Sequence, residues 1–136
     1  MKTVLTVAGS DPSGGAGIQA DIKTITAHGL YATSAITALT VQNTLGVSRV
    51  EPVPVDLVVQ QIDCVVGDIR PDAVKIGMLC NAEIVQAVAQ ALAHGQAECI
   101  VIDPVMISTS GHRLLDQEAV QWMKRKLFPM AVSYTH

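Results

Sequence analysis

The chain has 136 residues, of which 49% are hydrophobic and 15% charged, and its formal net charge is −3. This length and apolar content predict one domain with a sizeable core and exclude disorder as the main state. The only basic cluster, Lys124, Arg125 and Lys126, is too small for a nucleic-acid-binding face, and the spacing of the three cysteines and four histidines gives no metal-site motif.

The first predicted unit is a strand, a glycine-rich turn and a helix. Residues 4–7 are an apolar run, residues 9–17 contain four glycines, and Ile18, Ile22 and Ile25 recur at helical spacing before Gly29. Glycines let a backbone approach a ligand closely, and the free N–H groups that begin a helix attract anions and polar groups. We therefore expect a ligand at this turn.

Two familiar nucleotide-binding loops are similar to this turn, and both are disfavoured. Residues 9–14 match the start of a P-loop, but Gly15 and Ala16 stand where Lys and Ser or Thr are required. Residues 15–20 match a dinucleotide fingerprint, but the region about 20 residues further on has no acidic side chain. A turn that serves only the fold is the remaining alternative.

The rest of the chain alternates predicted strands and helices. Strands are expected at residues 33–41, 47–50, 73–76 and 99–103, and helices begin near Pro54, Asn81 and Asp116. This order predicts an α/β fold, a doubly wound and mainly parallel sheet with helices on both faces. Ligands bind such sheets at the carboxyl ends of the strands, where the turns at residues 9–17, 42–43, 77–78 and 103–105 fall.

Four motifs at these turns resemble those of the hydroxymethylpyrimidine/phosphomethylpyrimidine kinases of thiamine biosynthesis. They are GSDPSGGAGIQAD at residues 9–21, ITALTVQNT at 36–44, KIGML at 75–79 and DPVM at 103–106. The resemblance runs in order from residue 3 to about residue 128. It implies a ribokinase-like fold and ATP-dependent, Mg²⁺-assisted phosphorylation of 4-amino-5-hydroxymethyl-2-methylpyrimidine and then of its monophosphate.

The resemblance also implies a pyrimidine site at Gly9, Ala16, Asp21, Gln42, Met78 and Val105, with Asp103 near the metal and the phosphates. A carboxamide such as that of Gln42 can answer both the donor and the acceptor on an aminopyrimidine edge, although an isolated Gln at a strand end more often caps a turn. Met78 and Val105 supply apolar walls or belong to the core. A carboxylate beside phosphates requires a cation, so Asp103 is assigned to Mg²⁺ or its water shell.

The resemblance covers residues 1–128 as the N-terminal, substrate-binding half of one kinase domain, whereas residues 129–136 depart from the family pattern. The other half would supply most of the ATP site and the group that activates the hydroxyl, so no catalytic residue is assigned here and the truncated chain is expected to be inactive alone. A vitamin B6 kinase and a non-catalytic pyrimidine-binding module are the alternatives. We also expect a cytoplasmic protein without nucleic-acid or membrane partners, and a homodimer in the complete enzyme.

Overall fold

The chain folds as alternating strands and helices, and the computed structural model describes residues 1–108, 111 and 113–134. The strands are β1 (Thr3–Ala8), β2 (Tyr31–Ile36), β3 (Ala38–Asn43), β4 (Gly46–Pro52), β5 (Ala73–Ile76), β6 (Ile100–Ile102) and β7 (Ser133–Tyr134). The helices are α1 (Gly17–Ala27), α2 (Val55–Asp68), α3 (Ala82–His94) and α4 (Gln117–Trp122). A π-helical turn (Met123–Leu127) and a 3-10 turn (Phe128–Met130) follow α4.

Five of the strands form one parallel sheet in the order β2-β1-β5-β6-β7. Val7 of β1 lies between Ala35 of β2 and Ile76 of β5 in the register. Strands β3 and β4 form a separate antiparallel hairpin. The helical connections between parallel strands confirm the predicted α/β architecture.

Side chains on β1 and β5 alternate between the two faces of the sheet. Leu5 and Ile76 belong to the main core, which they share with side chains of α2, α3 and α4. Thr6 and Lys75 point to the other face, where both bond Asp21 of α1. Described helices therefore lie on both faces, and the face toward α1 carries polar groups beside the sheet.

Local signals predict the start of two helices correctly. The Asn81 side chain accepts a hydrogen bond of 2.9 Å from the amide of Ile84 at the start of α3. The Asp116 side chain accepts one of 2.7 Å from the amide of Ala119 in α4. These bonds satisfy donors that have no partner within the helix.

The single strand predicted at residues 33–41 is wrong, because the chain leaves the sheet at Thr37. Thr37 is fully buried, and its hydroxyl donates to the carbonyl of Met78 at 2.5 Å. Its amide donates to Ala8 at 3.0 Å, and its carbonyl accepts from Val53 at 2.9 Å. These contacts end β2 and start β3 in the hairpin, although neither Gly nor Pro marks the break.

The predicted apolar stripe of α1 is only partly buried. Ile18 is 7% exposed, whereas Ile22 is 36% exposed. Gly29 follows the end of this helix with a φ of +73°, as expected of a glycine beyond a helix terminus. No described helix combines the length and the apolarity that crossing a bilayer requires.

The described part of the segment at residues 129–136 forms one edge of the sheet. Ser133 and Tyr134 pair in parallel with β6, and the ring of Tyr134 stacks on Phe128 with ring centroids 4.4 Å apart. Residues 135 and 136 lie outside the described residues. The predicted departure of this segment from the family pattern remains a prediction.

Candidate functional site

A cavity of about 380 Å³ opens at the carboxyl ends of β1, β5 and β6. The hairpin of β3 and β4 forms one of its sides. All the residues predicted for the pyrimidine and metal sites line this cavity: Gly9, Ala16, Asp21, Gln42, Met78, Asp103 and Val105. They converge because the carboxyl ends of parallel strands meet at one edge of a sheet.

The glycine-rich turn is organised around the carboxylate of Asp11, a residue that is 2% exposed. Its Oδ1 accepts from the amide of Ser13 at 2.8 Å and from the hydroxyl of Ser13 at 2.7 Å. Its Oδ2 accepts from the amides of Gly15 at 3.0 Å and Ala16 at 2.8 Å. The amides of Gly15 and Ala16, which lead into α1, are therefore bonded to a carboxylate of the same loop and are not free for a ligand.

Asp11 stays ionised despite its burial. Desolvation by itself would raise the pKa of this carboxyl, but the hydrogen bonds from Ser13, Ala16 and Gly15 outweigh it and hold the pKa below the ordinary value of 3.8. Hydrogen bonds to a charged form stabilise that form. The turn beside the cavity therefore carries a negative charge at neutral pH.

Two glycines let this turn approach the rest of the cavity. A Cβ atom at Gly9 would lie 2.5 Å from the Cε of Met78. Gly17 has a φ of +57°, and a Cβ there would collide with the carbonyl oxygen of Gly9. The same oxygen accepts a hydrogen bond of 2.9 Å from the amide of Ile18, so the start of α1 sits directly against the end of β1.

A chain of hydrogen bonds ties the turn to the hairpin. The Gln19 side chain accepts from the amide of Asp11 at 2.7 Å and donates to the hydroxyl of Ser10 at 3.0 Å. The amide of Ser10 donates to Ala38 at 2.9 Å, and its carbonyl accepts from the hydroxyl of Thr40 at 2.6 Å. These bonds fix the hairpin, and with it the cavity side that it forms.

Gln42 lies at a bulge in the hairpin, where the register shifts between Val41 and Gln42. Its side chain is half-buried, and its Oε1 lies 3.3 Å from the hydroxyl of Thr40. Within the described residues, its Nε2 donates no hydrogen bond. A bulge re-aims side chains, and here a carboxamide with an unused donor borders the cavity.

Asp21 forms an ion pair inside the cavity with Lys75, a residue to which the sequence analysis gave no role. The Nζ atom of Lys75 lies 2.9 Å from each carboxylate oxygen, and the hydroxyl of Thr6 donates to Oδ2 at 2.6 Å. The side chain of Asp21 is 16% exposed, and that of Lys75 is 27% exposed. Among the described residues that line the cavity, Lys75 is the one Lys or Arg, and the carboxylates are those of Asp11, Asp21 and Asp103.

Met78, Val105 and Asp103 lie on the sheet side of the cavity. Met78 is 7% exposed and Val105 is half-buried, so both present apolar surface. The amide of Asp103 donates to Ile76 at 2.8 Å, and the amide of Val105 donates to Asp103 at 2.9 Å, which turns the chain sharply after β6. No group of three or more potential metal ligands occurs among the described residues, and Asp103 lines the cavity at the turn that follows β6.

The sequence contained weak signals for the two residues that were missed. Lys75 is a charged residue between the buried Val74 and Ile76 of a four-residue strand, where a solitary charge requires a partner. Asp11 precedes Pro12 and Ser13, a composition typical of a turn closed by an aspartate side chain. Neither signal identifies the partner that the fold supplies.

Residues 11–135 match the family model described as phosphomethylpyrimidine kinase. The hydroxymethylpyrimidine/phosphomethylpyrimidine kinase of Haemophilus influenzae is 50% identical over 131 residues, which are 96% of this chain and 49% of that protein. The crystal structure of phosphomethylpyrimidine kinase from Clostridium difficile is 47% identical with a TM-score of 0.92, covering 98% of this chain and 58% of its own. A Staphylococcus aureus pyridoxal kinase in complex with pyridoxal is 34% identical with a TM-score of 0.87, covering 98% and 48%.

The solved structures share the fold described above, and the sequence matches identify the family. The chain spans about half the length of the curated kinases it matches. The family match includes most of the segment from residue 129 onward. By this match, the chain belongs to the phosphomethylpyrimidine kinase family.

Proposed function

We propose that this chain binds the aminopyrimidine substrate of a hydroxymethylpyrimidine/phosphomethylpyrimidine kinase in the cavity at the carboxyl edge of its sheet. The observation that carries the proposal is that one cavity is lined by Gly9, Gln42, Met78 and Val105. The chain that forms this cavity is 50% identical to the H. influenzae kinase over 131 residues. The chain spans about half of those kinases, so the activity of the whole enzyme is part of the proposal. That activity is transfer of the γ-phosphoryl group of ATP to the hydroxymethyl oxygen, and then to the resulting monophosphate.

Gln42 and Asp21 would recognise the polar edge of the pyrimidine. The Gln42 carboxamide offers a donor and an acceptor side by side, which matches an amino group beside a ring nitrogen. The Asp21 carboxylate has about four acceptor positions, of which Lys75 and Thr6 occupy three. One position is left to accept an N–H of the ligand, while Met78 covers a face of the ring.

Asp103 would hold Mg²⁺, directly or through water, at the phosphate end of the cavity. Mg²⁺ is commonly bound by one or two carboxylates together with substrate phosphates and waters, so the Asp103 carboxylate is a suitable ligand. When bound, ATP would supply the phosphoryl group and Mg²⁺ would neutralise its charge. Asp103 fixes where that charge can lie, and no described residue is assigned to activate the hydroxyl, so we do not expect turnover by this chain alone.

The comparisons favour the pyrimidine over pyridoxine. The C. difficile phosphomethylpyrimidine kinase is 47% identical to this chain, whereas the S. aureus pyridoxal kinase is 34% identical. The two kinds of kinase share this architecture. Pyridoxine is therefore the ligand with which the aminopyrimidine should be compared. Cytoplasmic localisation and a homodimer in the complete enzyme remain predictions.

Calorimetric titration of the chain with the aminopyrimidine alcohol tests the binding site. Gln42→Ala should weaken binding by about 1–3 kcal/mol, since ligand groups that Gln42 satisfies would be buried without a partner. Gln90→Ala, which changes an exposed glutamine on α3, should leave the affinity unaltered. Equal affinities of wild type and Gln42→Ala would refute the role of Gln42.

Mass spectrometry after incubation with ATP, Mg²⁺ and each alcohol tests the activity. Binding of the aminopyrimidine without any product supports a substrate-binding half that needs further chain for catalysis. Phosphorylated pyrimidine would show that this chain suffices. Phosphorylated pyridoxine alone would assign the cavity to the vitamin B6 substrate instead.

A further inference from the structure

The Asp11 carboxylate occupies two backbone amides that lead into α1 and would otherwise be available to an anion. Gly15 and Ala16 immediately precede this helix, which begins at Gly17, and both of their amides point to Asp11 Oδ2. The N-terminal end of a helix carries a partial positive charge and attracts phosphate or carboxylate groups. In this turn, the attracted anion is a side chain of the turn itself.

The position of Asp11 gives the cavity two unlike ends. The turn that holds Asp11 follows β1, Asp103 follows β6, and β5 lies between those strands. Two strand spacings separate the ends by about 10 Å. A phosphate at the β1 end would meet the buried negative charge of Asp11 and the two amides that Asp11 already satisfies. At the β6 end, a cation bound at Asp103 would compensate the charge of the phosphate.

We propose that Asp11 is a specificity-determining residue, a built-in anion that excludes phosphate from the β1 end of the cavity and so sets the orientation of the ligand. The uncharged ring then lies against the turn, and the hydroxyl or phosphate substituent points toward Asp103. This reading rests on the proposed function for the identity of the ligand. The occupation of the amides by Asp11 does not depend on it.

Titration of the ¹⁵N-labelled chain with inorganic phosphate tests the built-in anion without any pyrimidine. In the wild type, the amide signals of Gly15 and Ala16 should not move. In Asp11→Ala, both signals should shift, and phosphate should bind at least about tenfold more tightly, because the two amides that lead into α1 are freed and a negative charge is removed. Asp72→Ala is the matched control. It also removes an ionised carboxylate that accepts a hydrogen bond from a backbone amide, but this amide is that of Thr3 at the opposite end of β1.

The control variant should bind phosphate as weakly as the wild type. Phosphate-induced shifts of Gly15 and Ala16 in the wild type would overturn the proposal, and so would a folded Asp11→Ala chain without added phosphate affinity. If circular dichroism shows Asp11→Ala unfolded, Asp11→Asn replaces it, because it keeps the side-chain volume and loses the charge. We expect at least about threefold tighter phosphate binding by that variant, and unchanged binding refutes the proposal.

The two proposals fail separately. Loss of the predicted pyrimidine binding with the phosphate result intact would refute the proposed function alone. Intact pyrimidine binding with unchanged phosphate affinity in the Asp11 variants would refute the built-in anion alone.

Discussion

Replacement of Lys75 by methionine should destabilise the fold by about 1–3 kcal/mol. The substitution keeps an unbranched side chain of similar length but removes the ammonium group. It leaves the Asp21 carboxylate charged and largely buried, with the Thr6 hydroxyl as its remaining partner. The cost arises because a buried charge without its counter-ion loses hydration without compensation.

The magnitude follows from the geometry of the pair. Unit charges at the observed 2.9 Å attract by about 6 kcal/mol at an effective dielectric constant near 20. Removal of both charges from water offsets most of that attraction. Exposed pairs contribute at most about 1 kcal/mol, and breaking fully buried pairs costs about 3–5 kcal/mol. Side chains that are 16% and 27% exposed place this pair between the two limits.

Urea denaturation of the wild type, Lys75→Met, Asp21→Asn and the double variant measures the coupling free energy. The single tryptophan, Trp122, is half-buried in α4 and reports unfolding. The same cycle on Arg49 and Glu51, an ion pair of 2.9 Å whose side chains are 70% and 62% exposed, is the control. A Lys75–Asp21 coupling no larger than that of the exposed pair would refute the reasoning.

Two further predictions concern the cavity wall and the opposite end of the sheet. Gly17→Ala should cost about 1–3 kcal/mol in urea denaturation, because Gly17 has a φ of +57° and a Cβ there would collide with the backbone carbonyl of Gly9. Gly67→Ala in α2, where a Cβ meets nothing within 4 Å, should instead stabilise by about 0.5–1 kcal/mol. Equal effects of the two substitutions would contradict the steric argument. The hydrogen bond from Lys2 and that from the Thr3 amide lower the pKa of Asp72 from 3.8 to about 2. A lowered folded-state pKa stabilises the fold above the unfolded value and loses that effect as the pH falls, so the stability gap between wild type and Asp72→Asn should be constant above about pH 5 and shrink from pH 4 toward pH 2; a gap independent of pH in thermal melts would exclude this linkage.

The sequence was sufficient where structure depends on neighbouring residues. Asn81 and Asp116 predict their helix starts because a cap requires only the amide three residues further on. The glycines of residues 9–17 predict a tight turn for a similarly local reason. The alternation of strands and helices then restricts the topology to a parallel sheet, and that topology places the predicted turns at one edge.

The failures occur where a distant partner decides the outcome. Residues 33–41 have the composition of one continuous strand, and only the contacts of Thr37 with Ala8, Val53 and Met78 divide it. Without those partners, nothing local marks the break. Propensity and periodicity therefore identify strand-forming residues here but cannot separate two consecutive strands that belong to different sheets.

The sequence by itself determined the fold class, most helices and strands, and seven of the residues that line the cavity. Only the tertiary structure decided how the charges of that cavity are paired: Lys75 reaches Asp21 across 54 positions of the chain, and Asp11 folds back onto the amides of Gly15 and Ala16. The physical reason is that a buried charge is stabilised by whichever opposite charges and donors the completed fold brings within hydrogen-bonding distance. Sequence periodicity carries no information about that distance.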